Sequence, residues 1–249
     1  MTHPGHSRTR VARDHALIAP DSHVEAPLPR WKDSQGVILV SPTLGARFTQ
    51  YLALMEKGGI AGPQMAGAER FFFVLEGEIH LEAEGEDFSM EAGGYAYLPP
   101  GLPHRIGALA TARLCFFERL YCAVPRMDVP NLIVRRQQDI EGEPFLGDPD
   151  ARLQTLLPDE PAFDMAVNLF TFQPGAALPF VESHIMEHGL LMVAGLGIYR
   201  LSESWYPVAA GDAIWMASFC PQWFACHGKE PASYLYYKDV HRDPLQPGA

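Results

Sequence analysis

The sequence predicts a mainly all-β chain built as two tandem jelly-roll β-barrels, and three observations carry that prediction. Short runs rich in Val, Phe, Tyr, Leu and Ile are punctuated by 22 glycines and 22 prolines. Few stretches show a helical period. A glycine pattern also recurs at a constant distance along the chain. Residues 71–75, 78–83, 95–98 and 112–121 read as strands in the first half. Residues 167–172, 190–193, 198–201, 213–216 and 234–237 do so in the second. One segment, 150–157, reads as a short helix.

The repeat sets the domain organisation. The segment LEGEIHLEAEGEDFSMEAGGYAYLPPGLPH aligns with VAGLGIYRLSESWYPVAAGDAIWMASFCPQ, so that Gly77 falls on Gly195, Gly93 on Gly211 and His104 on Gln222, each at an offset of 118. Both copies place two glycines 16 residues apart and a polar side chain 11 residues later. Turns at positive φ explain the glycines, and arrays of short antiparallel strands favour a closed or two-sheet barrel. The expected division is a leader over 1–35, a first barrel over 36–125, a proline- and charge-rich linker over 126–160, and a second barrel over 161–249.

Composition narrows the function. The chain has 249 residues, with 19 Lys and Arg against 30 Asp and Glu, a net charge of −11. That balance argues against nucleic acid and anionic membranes as partners, since both require clustered cations. The longest apolar run, 190–199, is interrupted by Gly195 and Gly197, and a membrane-spanning helix needs about 20 residues. The first 20 residues are polar and basic, unlike a secretory signal. Cys115, Cys122, Cys220 and Cys226 show no CxxC spacing, which fits the thiols of a reducing compartment and makes the cytoplasm the expected location.

The densest chemistry lies in PGAALPFVESHIMEHGLLMVAGLG, which holds Glu182, His184, Glu187 and His188. As a helix, His184-Ile-Met-Glu187-His188 would be the H-x-x-E-H string of inverted zinc proteases. The flanking Pro174, Gly175, Pro179 and Gly189 leave such a helix little room. As a strand and turn, Glu182 and His184 share one face, and His188 returns to it after a bend.

Read that way, the segment resembles the first motif of the cupin superfamily, with Gly175, Glu182, His184, His188 and Gly195 at the corresponding places. The second motif begins at Gly211 and ends at Gln222, where cupins carry histidine. Ligand types are therefore exchanged. Glu182, His184, His188 and Gln222 offer two imidazoles, a carboxylate and an amide oxygen, without a thiolate. That set disfavours a structural zinc site. It suits Mn²⁺, with Fe²⁺, Ni²⁺ or Zn²⁺ as possible substitutes. In the first copy the offset gives Gln64, Ala66 and Arg70, which make no metal set. His104 there reads as a packed or surface histidine, and the first barrel as support for structure and assembly.

This exchanged pattern resembles the bicupin (S)-ureidoglycine aminohydrolase family. The resemblance extends from the early SPTLGARFTQYLALM through ESHIMEHG to the closing SYLYYKDVHRD. It implies Mn²⁺ on Glu182, His184, His188 and Gln222, and substrate contacts from Glu182, Tyr199, Gln222, Tyr234 and Lys238. Lys238 and Glu182 are the implied catalytic residues, while Glu187 is left at the surface or behind the ligands. The implied reaction hydrolyses a small anionic ureido substrate, (S)-ureidoglycine, to (S)-ureidoglycolate and ammonia in allantoin and purine breakdown, within a homo-oligomer. The alternatives are another metal-dependent cupin oxygenase or isomerase acting on a small carboxylate, and a non-catalytic bicupin that binds a metabolite. Tyr234 and Lys238 speak against simple metal storage.

Overall fold

Side-chain alternation builds the strands. In Glu78–Ala83 the buried positions are Ile79, Leu81 and Ala83, while Glu78, His80 and Glu82 turn outward. Leu196–Leu201 repeats this with Gly197, Tyr199 and Leu201 inside. Period two with one buried face is what a sheet packed on a core requires. The computed structural model describes residues 6–242, and each predicted run lies on one of its strands to within a residue.

The strands assemble into two units. One takes Val24–Ile140 and Glu160–Asp164. Its main sheet runs Ile133–Arg136, Gly94–Leu98, Ala68–Glu76, Ala112–Leu120, Thr49–Ile60, His104–Ala108, Glu78–Ala83 and Glu86–Glu91, with Lys32–Val40 added along Thr49–Ile60. Tyr51, Phe72, Leu81, Ile106 and Phe116 form its core.

The other unit takes the residues up to His23, Glu141–Asp159 and the chain from Met165 onward. Its larger sheet runs Arg10–Val11, His15–Ile18, Ala213–Met216, His188–Ala194, Ala232–Asp239, Met165–Phe172, Asp148–Thr155 and Glu143–Phe145. A second sheet holds Ser204–Ala209, Leu196–Leu201 and Gln222–Cys226. Both sheets contribute to one core, with Phe170, Phe172, Leu190 and Tyr234 from the larger and Tyr199, Leu201 and Phe224 from the smaller. Among the described residues no helix is long and apolar enough to cross a membrane.

The repeat has a steric basis. Gly77 and Gly195 sit at φ +81° and +74°, and a Cβ on either would lie 2.2 Å from the Thr111 carbonyl oxygen or 2.4 Å from that of Pro231. Only glycine satisfies both the backbone angle and the contact.

Leader and linker are taken up by the sheets. Residues 10–18 pair into the second unit, with Ala16 opposite Trp215 and Leu17 opposite Ile214, whereas Lys32–Val40 pairs into the first. In the segment expected to link the barrels, Ile133–Arg136 pairs with Gly94–Leu98 and Asp148–Thr155 with Met165–Phe172. The helix expected over 150–157 is thus mostly strand. Pairing along the Met165–Phe172 edge overrides a weak local preference.

The N-terminal segment is also clamped by charge. Both terminal nitrogens of the Arg8 guanidinium, Nη1 and Nη2, donate to Asp212, at 2.7 and 2.6 Å. The Asp212 side chain is fully buried, while Arg8 is 43% exposed. Arg8→Ala strips the buried carboxylate of its counter-charge. Breaking a buried pair costs about 3–5 kcal/mol, and the exposure of Arg8 brings the expected loss to about 2 kcal/mol. Urea unfolding measures it, and adding Asp212→Asn should recover most of the loss.

Candidate metal and substrate site

Two backbone pairings bring the polar cluster together. Glu182 and Gln222 face each other as an antiparallel pair, each N–H donating to the other's carbonyl at 2.8 Å. Side chains of directly opposed residues leave a sheet on the same side. His188 starts its strand opposite Lys238, which places that ammonium beside the imidazole. Tyr234, Tyr236 and Lys238 then alternate along one face of Ala232–Asp239. No helix forms over 179–187, so the protease template has no structural counterpart.

The result is a cavity of about 170 Å³ lined by Glu182, His184, His188, Tyr199, Gln222, Tyr234, Tyr236 and Lys238. Phe145, Leu153, Phe170, Leu178, Leu190 and Met216 supply its apolar wall. Pockets for drug-sized ligands start at about 300 Å³, so this one suits a small metabolite. Every residue expected at the site lines it. Glu187 does not: it is buried, and its backbone N–H donates to Asp239 at 2.6 Å. Tyr236, Phe145 and Leu153 escaped the sequence reading. The alternation through Tyr234 and Lys238 marks Tyr236, whereas Phe145 and Leu153 lie in the segment read as a linker.

Three nitrogens converge on one point. His184 Nε2 lies 3.2 Å from His188 Nε2, and the Gln222 amide nitrogen stands 3.2 and 3.3 Å from the two rings. Burial lowers the pKa of both histidines, and that of His188 falls furthest because it is the more deeply buried, with repulsion from His184 and Lys238 adding to the effect. Both rings are therefore neutral near pH 7, the form that ligates metals. Two neutral imidazoles facing each other need a shared proton or a cation between them. Nitrogens about 2.1 Å from one ion and at right angles to it are separated by about 3.0 Å. The residues fit a divalent ion.

Gln222 and Glu182 need adjustment to join such an ion. The Gln222 oxygen now accepts from the Tyr199 hydroxyl at 3.2 Å. Turning the amide over brings that oxygen to the rings, and Tyr199 can then accept instead of donate. Among the described residues, the trios with ligand atoms all within 4.8 Å of one another are Asp14–His15–Cys220 and His80–Glu82–Asp87. Glu182 therefore stands more than 4.8 Å from at least one of the two imidazoles, and it lines the same cavity as Lys238. Burial raises its pKa, and the Lys238 charge partly offsets this. Burial also raises the pKa values of Tyr199, Tyr234 and Tyr236, so all three remain hydroxyls in the physiological range.

Comparison with known proteins gives the chain's relatives. A cupin-domain family model matches residues 51–118. The chain is 44% identical over 245 residues to a probable (S)-ureidoglycine aminohydrolase of Oryza sativa subsp. japonica, covering 97% of this chain and 78% of the rice protein. It is 35% identical over 235 residues to the (S)-ureidoglycine aminohydrolase of Escherichia coli K12, covering 92% and 89%. A crystal structure of a putative glyoxylate-induced protein from Pseudomonas aeruginosa superposes with a TM-score of 0.90 at 30% identity, over 98% of this chain and 94% of that one. With identity at this level over nearly its whole length, the chain belongs to the (S)-ureidoglycine aminohydrolase family of cupin proteins.

Proposed function

We propose that this protein hydrolyses (S)-ureidoglycine to (S)-ureidoglycolate with release of ammonia, in a metal-dependent reaction. The observation that carries this is the meeting of two neutral imidazoles, the Gln222 amide and Lys238 in one small cavity. Such a site selects a small anion carrying several hydrogen-bonding groups. In the net reaction the carbon–amine bond breaks, water's oxygen bonds to that central carbon, and one of water's protons goes to the departing nitrogen, which leaves as ammonia while the ureido group stays in place.

His184, His188 and Gln222, joined by Glu182, would hold the ion, with Mn²⁺ the first choice. When bound, it supplies positive charge that polarises and orients the substrate. The chain's own groups do the rest. Lys238, opposite His188, pairs with the substrate carboxylate and can pass a proton at its Nζ. Tyr199 and Tyr234 donate hydrogen bonds to the ureido or carboxylate oxygens, and the apolar wall excludes excess water. Lys238 and Glu182 are the proposed catalytic residues. The setting we infer is a cytoplasmic homo-oligomer working in purine nitrogen recovery.

The test is ammonia release from freshly generated (S)-ureidoglycine by chelated protein, with and without Mn²⁺ and with spontaneous decay subtracted. The expected result is stereospecific release that requires the metal. No acceleration with any divalent ion would overturn the reading. Oxygen consumption without ammonia would point to an oxygenase instead.

A further inference from the structure

Asp14 lies outside the cavity, yet it touches the chain segments that carry the site. It immediately precedes the strand His15–Ile18. Its carbonyl accepts the Ala217 N–H at 2.9 Å, and its carboxylate accepts the Ser202 hydroxyl. Ala217 opens a loop that runs through Phe219 into Gln222. In that loop Phe219 holds φ +63°, a strained angle for a bulky residue. Its two backbone groups explain the strain: the N–H donates to the His184 carbonyl at 2.7 Å, and the carbonyl accepts the Ser183 hydroxyl at 3.0 Å. Ser202 sits in the hairpin turn that follows Tyr199, and its N–H donates to the Pro221 carbonyl at 2.8 Å.

We propose that Asp14 is a positioning residue for the metal-binding end of the site. By tying the Ser202 turn to residue 14, whose carbonyl holds the start of the 217–221 loop, its carboxylate fixes the backbone that aims His184, Gln222 and Tyr199 at one point. Two features separate this from ordinary structural support. The Asp14 side chain is 41% exposed, and an ion pair or hydrogen bond at such a position adds little to stability. The carboxylate also meets His15 Nδ1 at 2.9 Å, while the Ala217 and Ser202 contacts fall on segments that lead to Gln222 and from Tyr199. The inference rests on the aminohydrolase reading of the site.

The experiment titrates Mn²⁺ into the chelated full-length chain, reading free Mn²⁺ by electron paramagnetic resonance, alongside kcat and KM for ammonia release. Residues that orient metal ligands typically change affinity by about 10–100-fold when removed. Asp14→Ala is expected to weaken Mn²⁺ binding by about 10-fold and to lower kcat more than it raises KM. Asp14→Asn keeps an oxygen for the Ser202 hydroxyl and should bind Mn²⁺ within about threefold of wild type. Ser202→Ala should reproduce the loss, and the double variant should be no worse than Asp14→Ala alone, because both remove one contact. Should Asp14→Ala fail to fold, Ser202→Ala carries the same test. Unchanged Mn²⁺ affinity in folded variants of an active enzyme overturns the positioning role alone. A wild-type chain that neither binds Mn²⁺ nor releases ammonia overturns the reading of the site and this role with it.

Discussion

Lys238→Ala is expected to cut ammonia release by about 10²–10⁴-fold, the range lost with a positioned proton-transfer group, while Mn²⁺ stays bound. The argument starts from register. Lys238 faces His188 across neighbouring strands and lines the same cavity as Glu182 and both histidines. Its ammonium is a like charge to any divalent ion held there, and such repulsion is strong where water is scarce. Removing it does not weaken metal binding. What is lost is the partner for the substrate carboxylate and the proton carrier beside the reacting carbon. His188→Ala should behave in the opposite order, losing the metal first and activity as a consequence. Lys238→Arg should not restore turnover, because a planar fork cannot take the place of a compact ammonium between two strands. Metal content by atomic absorption and kcat from ammonia release separate these outcomes. A Lys238→Ala enzyme with kcat within about threefold of wild type would remove Lys238 from the mechanism.

Legibility in the sequence followed the distance between partners. Alternation is local, so Glu78–Ala83 and Leu196–Leu201 could be placed from it, although their hairpin partners Glu86–Glu91 and Ser204–Ala209 were not among the predicted runs. The offset that aligned Gly77 with Gly195 aligned two instances of the same steric need, a left-handed residue pressed against a carbonyl. Strands near the sheet margins gave no such sign. His15–Ile18 is defined by Ala213–Met216, and Ile133–Arg136 by Gly94–Leu98, so their strand character comes from partners far along the chain. The same gap hid Phe145 and Leu153 from the cavity, since their strands look like linker until Asp148–Thr155 pairs with Met165–Phe172 and Glu143–Phe145 pairs with Asp148–Thr155 in turn. The polar residues were legible because their chemistry and spacing are local. How far Glu182 stands from the imidazoles is set by rotamers, which no pattern of residue types encodes.

Arg70→Met is expected to unfold the first unit much more readily, because Arg70 there stands where His188 stands in the second. The registers match: Arg70 pairs with Leu98 on one side and Glu118 on the other, as His188 pairs with Met216 and Lys238. His104 takes the place of Gln222. The guanidinium is 2% exposed and bonds the Glu118 carboxylate through Nε. Its Nη1 donates to the Gly62 carbonyl at 3.1 Å and meets His104 Nε2 at 3.2 Å. His104 Nδ1 donates to the Leu102 carbonyl at 2.8 Å, so its Nε2 carries a lone pair that accepts from Arg70. Burial lowers the pKa of His104 and favours that neutral form. The histidine read as packed or surface is half-buried and satisfied. The first unit thus holds a fixed cation from its own chain at the position corresponding to the second unit's candidate metal site. Removing it strands a carboxylate and an imidazole, at a cost of about 3–5 kcal/mol. Trp31, 5.5 Å from Phe116 in that core, reports the transition by fluorescence in urea. Adding Glu118→Gln should recover part of the loss, because the stranded charge goes with it. The wild-type chain should bind about one ion, none of it in the first unit, as a buried guanidinium and an incoming divalent ion repel. A second ion bound by the wild-type chain at Glu118 and His104 would show that Arg70 moves aside, and the fixed-cation account would then be wrong.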